Sequence, residues 1–205
     1  MVSSLKLWTT LLSLIVTASA LALDKRVQYI PIGYRTVLPG GAVAYHKAGD
    51  TLTYKASGSA DQLGPGAYIS PAIGEWAVGP TSWDCAILAD APAWNRVNKA
   101  WVPATADDGC TPLWWDKGEK NRNAYLQEVG GKGMTTDNTV LFSKIQGFDL
   151  VQMLIPESLL GKSGGLNIHV QCAAKTDKKG IEQISAYGQI DWYSWNNVKG
   201  TPQRV

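Results

Sequence analysis

Short apolar runs of strand length, each closed by turn residues, recur along this sequence and constrain its fold more than any other feature. Residues 85–88 (CAIL) and 99–102 (KAWV) have the apolar density of buried strands. Residues 139–145 and 150–155 are separated by Gln146-Gly147-Phe148-Asp149, a composition that joins two strands by a turn. Residues 166–172 form a further run, and 184–195 read as one more strand. Upstream, 28–37 is an extended segment broken by Pro31, and 67–70 is a short strand behind the Ser/Gly/Asp-rich stretch 56–66. Helical patterns are few and short: 42–48 after Pro39-Gly40-Gly41, a turn at 72–78 after Pro71, and 121–129. No repeat, heptad or Pro/Ser-rich linker divides the chain, so one α+β domain is expected.

The amino terminus has a different logic. Lys6 precedes an apolar run at 7–16, followed by the small residues Ala18, Ser19, Ala20 and Ala22, the order that signal peptidase reads. The run falls short of the roughly 20 residues that cross a bilayer, and the charged Asp24-Lys25-Arg26 follows it, which argues against stable membrane insertion. The expectation is a signal peptide at 1–22, a short propeptide at 23–26 ending in the dibasic pair Lys25-Arg26, and one secreted, extracellular globular domain at 27–205. This arrangement resembles that of fungal secreted proteins cut by a kexin-like protease. Of nineteen basic and seventeen acidic residues, Lys6, Lys25, Arg26 and Asp24 precede Val27, so the remainder balances at sixteen of each. A neutral domain without a basic run lacks the clustered cations that nucleic acid or an anionic membrane requires.

Cys85, Cys110 and Cys172 all follow the leader, and an oxidising export route favours one disulfide and one leftover thiol. Cys85 with Cys110 is the expected pair, because they flank the loop-like stretch 90–108 and closing such a loop constrains the unfolded chain. His46 and His169 sit in no recognisable motif, which leaves no base for a cysteine nucleophile and no metal signature. The many tryptophans offer either a stacking surface for a sugar, base or nicotinamide ring, or core packing.

Three stretches together resemble the ADP-ribosyltransferase-like superfamily, including its NAD-hydrolysing necrotising-toxin branch. Ile32-Gly33-Tyr34-Arg35-Thr36-Val37 is similar to the first strand of toxin-like members, where the aromatic-Arg pair meets the dinucleotide; a guanidinium fork matches phosphate oxygens well. Asp61-Gln62-Leu63-Gly64-Pro65-Gly66-Ala67-Tyr68-Ile69-Ser70-Pro71 resembles the glycine-rich entry to the next strand. There Gly66 allows close approach of the ligand, Tyr68 covers the nicotinamide, and Ser70 bonds ribose or carboxamide. Leu150-Val151-Gln152-Met153-Leu154-Ile155-Pro156 looks like the strand that carries the catalytic glutamate, with Gln152 in its place. An amide keeps the hydrogen bond to ribose but not the charge that supports an oxocarbenium-like transition state, which favours the hydrolase branch. Glu157, beyond Pro156, is expected to lie past the strand.

The resemblance implies a split, mostly antiparallel β core and cleavage of NAD at the nicotinamide-ribose bond. NAD is then substrate rather than cofactor, with Arg35 and Gln152 as the catalytic residues and Tyr34, Arg35, Gly66, Tyr68 and Ser70 as the binding residues. Transfer of ADP-ribose would add a host protein as target. Two alternatives remain: a non-catalytic secreted effector or interaction protein on the same scaffold, and a carbohydrate-binding protein that uses exposed tryptophans. Convergence of Arg35, Tyr68 and Gln152 on one cleft separates the NAD reading from the others.

Overall fold

The structure, a computed structural model, describes residues 27–54, 61–76, 79–115 and 118–205. The expected signal peptide and propeptide, residues 1–26, lie outside the described residues, as do Lys55, residues 56–60 of the Ser/Gly/Asp stretch and 77–78 of the segment after Pro71.

The apolar runs become strands, and the strands divide into two sheets. In the first, β1 (Tyr29–Val37), β3 (Trp83–Asp90) and β7 (His169–Ala174) lie in the order β1-β3-β7, all antiparallel. The second has the order β2-β6-β5-β4, from β2 (Gly66–Ile69), β4 (Asn98–Trp101), β5 (Thr139–Lys144) and β6 (Val151–Pro156). Its pairs are antiparallel except β4 with β5. The helices are α1 (Pro39–Lys47), α2 (Ala91–Arg96), α3 (Glu119–Gly130) and α4 (Lys178–Ser185). This is the expected α+β domain with a divided, mostly antiparallel β core.

Position in the sheet explains composition. β6 is central, buried along its whole length, and reads as an unbroken apolar run apart from Gln152. Pro31 sits in β1, an outer strand of its sheet, where a missing N–H is tolerated and the register shifts between Pro31 and Gly33. The sheets meet where Tyr34 N donates to Ser70 O and Ser70 N donates to Tyr34 O, both at 2.8 Å. Gly33 permits this approach, since a Cβ there would stand 2.8 Å from Ser70 O.

Three apolar clusters follow from strand alternation. One draws side chains from both sheets, including Ile32, Ile87, Phe142, Met153, Trp101 and Trp192. A second joins the other face of β5 and β6 to α3 through Leu141, Leu154 and Leu126, and a third joins the other face of β1 and β3 to α4 through Tyr34, Leu88 and Ile184. Core packing accounts for most of the tryptophans. Trp101 stacks on Tyr193 at 5.2 Å and packs against Phe142 at 5.3 Å, while Trp192 meets Phe142 edge-on and donates from Nε1 to Ile32 O. Backbone bonds from Trp101 N to Lys199 O and from Lys199 N to Lys99 O cover the outer edge of β4.

Three expectations require correction. The disulfide joins Cys85 to Cys172, not to Cys110. Cys85 and Cys172 face each other across β3 and β7 with Cα atoms 4.0 Å apart, whereas Cys110 is an exposed free thiol in a turn whose amides bond to Asp108. The stretch 90–108 is not a loop at its start: Asp90 caps α2 by accepting from Ala93 N, and β4 follows. Residues 184–195 do not form a strand. Asp177 caps α4 through Gly180 N, Ile181 and Ile184 fall one turn apart against the third cluster, and Asp191 caps a single 3-10 turn at Trp192–Ser194.

The pairing is directly testable. Peptide mapping without reduction should recover a Cys85–Cys172 crosslink, and the native protein should titrate one thiol. Replacing both bridged cysteines by Ala should cost about 2–5 kcal/mol in denaturant unfolding, whereas Cys110→Ser should leave stability nearly unchanged.

Candidate functional site

The register places the residues singled out in the sequence on two different faces. Along β1 the side chains alternate, so Tyr34 joins the third cluster under α4 while Arg35 points to the opposite side. Arg35 there heads a row that crosses the sheet through Cys85 to Cys172. In the second sheet Tyr68 stands opposite Leu154, and Gln152 follows on the same face, which is the one packed under α3. Alternation gives Ser70 the same side as Tyr68. Thus Tyr68, Ser70 and Gln152 share a face, and Arg35 is not on it.

Each member of that face is bound into the fold. Gln152 is 6% exposed, and its Nε2 donates to Ser143 Oγ at 3.1 Å. Gln62 Nε2 reaches the same oxygen at 3.2 Å and Lys144 O at 2.7 Å, while Gln62 Oε1 accepts from Gln146 N. The two glutamines therefore clasp the β5–β6 hairpin. The Tyr68 hydroxyl accepts from Leu63 N at 2.8 Å and donates to Gly64 O at 2.9 Å, and burial pushes its pKa well up. Tyr34 is buried and donates to Gly188 O at 2.6 Å. Gly66 is required by the sheet itself: a Cβ would stand 2.3 Å from Ile155 O.

Arg35 is different. It is half-buried, and its Nη1 is a buried donor with no hydrogen-bond partner. Asp61 and Tyr45 lie within reach of its charge. Burial raises the Asp61 carboxyl above its usual range, and the Tyr54 hydroxyl at 3.5 Å and the Arg35 guanidinium oppose that rise. A guanidinium with a spare donor suits an anionic ligand. Glu157 lies exposed in a 3-10 turn just past Pro156, beyond the strand as expected.

Several charged groups escaped the sequence reading. Lys99 is 1% exposed inside β4, with Nζ donating to Trp94 O and to Val97 O at 3.1 Å and lying 5.0 Å from the Trp94 ring centroid. It holds the carboxyl end of α2; its only signal was a lysine within an apolar run. Buried Arg122 of α3 donates from Nη1 to Leu113 O and Trp115 O, fixing the loop before the helix. Glu75 has a buried Oε2 without a partner, and burial raises its pKa. It lines a cavity of about 450 Å³ with Asp149, Gln189, Asp191 and Tyr193. Among the described residues, no three His, Cys, Asp or Glu side chains group to hold a metal ion.

Comparison with known proteins adds one relationship. Residues 61–201 match the model of a family of unknown function, DUF5910. The match begins after β1 and α1, so it takes in Tyr68, Ser70 and Gln152 but not Tyr34 or Arg35. No curated protein matches the chain.

Removing the Gln152 amide leaves the Ser143 hydroxyl without that partner, so Gln152→Ala should lower unfolding stability by about 1–3 kcal/mol. Burial lowers the Lys99 pKa to about 8, below the roughly 10.4 of an unfolded chain, so between these values the unfolded state holds more protons. This contribution to stability should therefore rise with pH from about 8 to about 10. The wild-type denaturation midpoint minus that of Lys99→Met should rise over that window; a flat difference would contradict a depressed Lys99.

Proposed function

The chain belongs to DUF5910, a family of unknown function, and on that footing we propose that it is an exported interaction protein that works by binding rather than by cleaving NAD. One observation carries this reading: Gln152 Nε2 is spent on the hairpin and the Tyr68 hydroxyl on the loop before β2, on a face that Arg35 does not share. NAD cleavage needs a positioned group at the reacting ribose and a phosphate anchor in one cleft. A buried amide bonded to Ser143 is not available for the first role without undoing the hairpin clasp. Export is supported by the leader-like amino terminus and fits the Cys85–Cys172 disulfide, since such bonds persist in oxidising compartments.

A second reading, NAD hydrolysis or transfer, is favoured by the free buried Nη1 of Arg35, a donor suited to a pyrophosphate. The two readings part in a single assay. Purified protein incubated with NAD should release no nicotinamide above a heat-treated control. Release by the wild type that is lost in both Arg35→Ala and Gln152→Ala would overturn the binding reading in favour of the enzyme.

A further inference from the structure

The 146–149 turn between β5 and β6 gathers the large exposed aromatics of this end of the molecule. Phe148, 52% exposed, meets Trp76, 39% exposed, edge-to-face with ring centroids 5.8 Å apart. On the same turn Gln146 Oε1 accepts from Nε1 of the exposed Trp115. Most of the described tryptophans have their rings committed to the core, so half-open rings around one turn need another explanation.

Trp76 and Phe148 do not line the cavity that Glu75 lines, but each is the chain neighbour of a residue that does, Glu75 and Asp149. Its volume of about 450 Å³ falls among small-ligand sites, and its wall mixes apolar Leu150 and Ile190 with polar Glu75 and Gln189. The carboxylates around it are not a set of free charges. Asp149 is paired with Lys144 at 2.9 Å, and Asp191 accepts from Tyr193 N at 3.0 Å as the cap of its 3-10 turn. Glu75 alone keeps a buried oxygen without a donor. An unmet buried acceptor costs free energy that a ligand hydroxyl would recover. These requirements describe a ligand that offers hydroxyl donors on its edges and a C–H face for an aromatic ring.

We infer that this cavity and the exposed Trp76–Phe148 pair beside its lining residues in the chain form a binding site for a neutral glycan, with Glu75 accepting from a sugar hydroxyl and Trp76 covering a sugar face. The inference rests on the binding reading above and gives it a ligand class. It uses no group of the NAD constellation.

Titration of the full exported chain with cellohexaose, laminarihexaose and chitohexaose, followed by tryptophan fluorescence, tests it. At least one of the three should bind saturably. Trp76→Ala and Glu75→Ala should each weaken that binding tenfold or more, while Cys110→Ser, at an exposed thiol outside the cavity, leaves it unchanged. Trp76 is exposed, so its variant keeps the test valid if Glu75→Ala fails to fold. Absence of binding by all three sugars, equal affinity in wild type and Trp76→Ala, or displacement of the sugar by equimolar spermine would each overturn the glycan assignment. Nicotinamide release from NAD by the same preparation would instead contradict the binding reading, so the two failures are distinguishable.

Discussion

Two backbone hydrogen bonds between Tyr34 and Ser70 tie the molecule's two sheets together, and the disposition of the remaining polar groups depends on them. They form because Gly33 has no side chain to block Ser70 O. Once Tyr34 is opposite Ser70, alternation fixes the rest: Tyr34 falls under α4, and Arg35 falls on the side of Cys85 and Tyr45. A one-residue slip of β1 would exchange these faces, burying a guanidinium in an apolar cluster. The row from Arg35 through Cys85 to Cys172 therefore combines a covalent link between β3 and β7 with the β1 guanidinium whose Nη1 lacks a hydrogen-bond partner.

The fold was legible where a residue's local pattern and its tertiary environment agree. The runs that became β3, β5 and β6 are apolar because they are central, and the turn at 146–149 followed from its glycine and polar residues. The family resemblance implied a divided β core, and the described strands do form two sheets. It was less legible where a pattern of period two concealed one of period three to four: Ile181 and Ile184 belong to a helix whose start is set by the Asp177 cap, a side-chain bond that composition does not reveal. The disulfide failed for a related reason. Cys85 and Cys172 are 87 residues apart in sequence, and only strand register brings them together.

The candidate site was legible in its residue types but not in their geometry. Glycine, tyrosine and glutamine at Gly66, Tyr68 and Gln152 fit a ligand cleft, yet each also meets a demand of the sheet: close approach to Ile155 O, closure of the loop at Leu63 and Gly64, and the clasp on Ser143. Strand sequence alone does not distinguish an amide facing a cleft from one facing a neighbouring strand. Conversely, Glu75 drew no attention in sequence because nothing marks a surface-type residue whose one oxygen becomes buried. The tryptophans divide likewise, with Trp101 and Trp192 in the core and Trp76 and Trp115 at the surface, a separation that follows from tertiary packing.

The central claim is that, Arg35 apart, the residues with the look of a NAD site are committed to the fold, Tyr34 and Ser70 joining the two sheets and Gly66, Tyr68 and Gln152 bracing the second. Native-state hydrogen exchange of the Tyr34 and Ser70 amides tests it most directly. If the junction is a permanent part of the fold, both amides exchange as slowly as that of Ile87 in central β3, by global unfolding alone. Exchange as fast as that of Phe148 in the exposed turn would show the sheets parting readily, as a cleft between them requires, and would contradict the account.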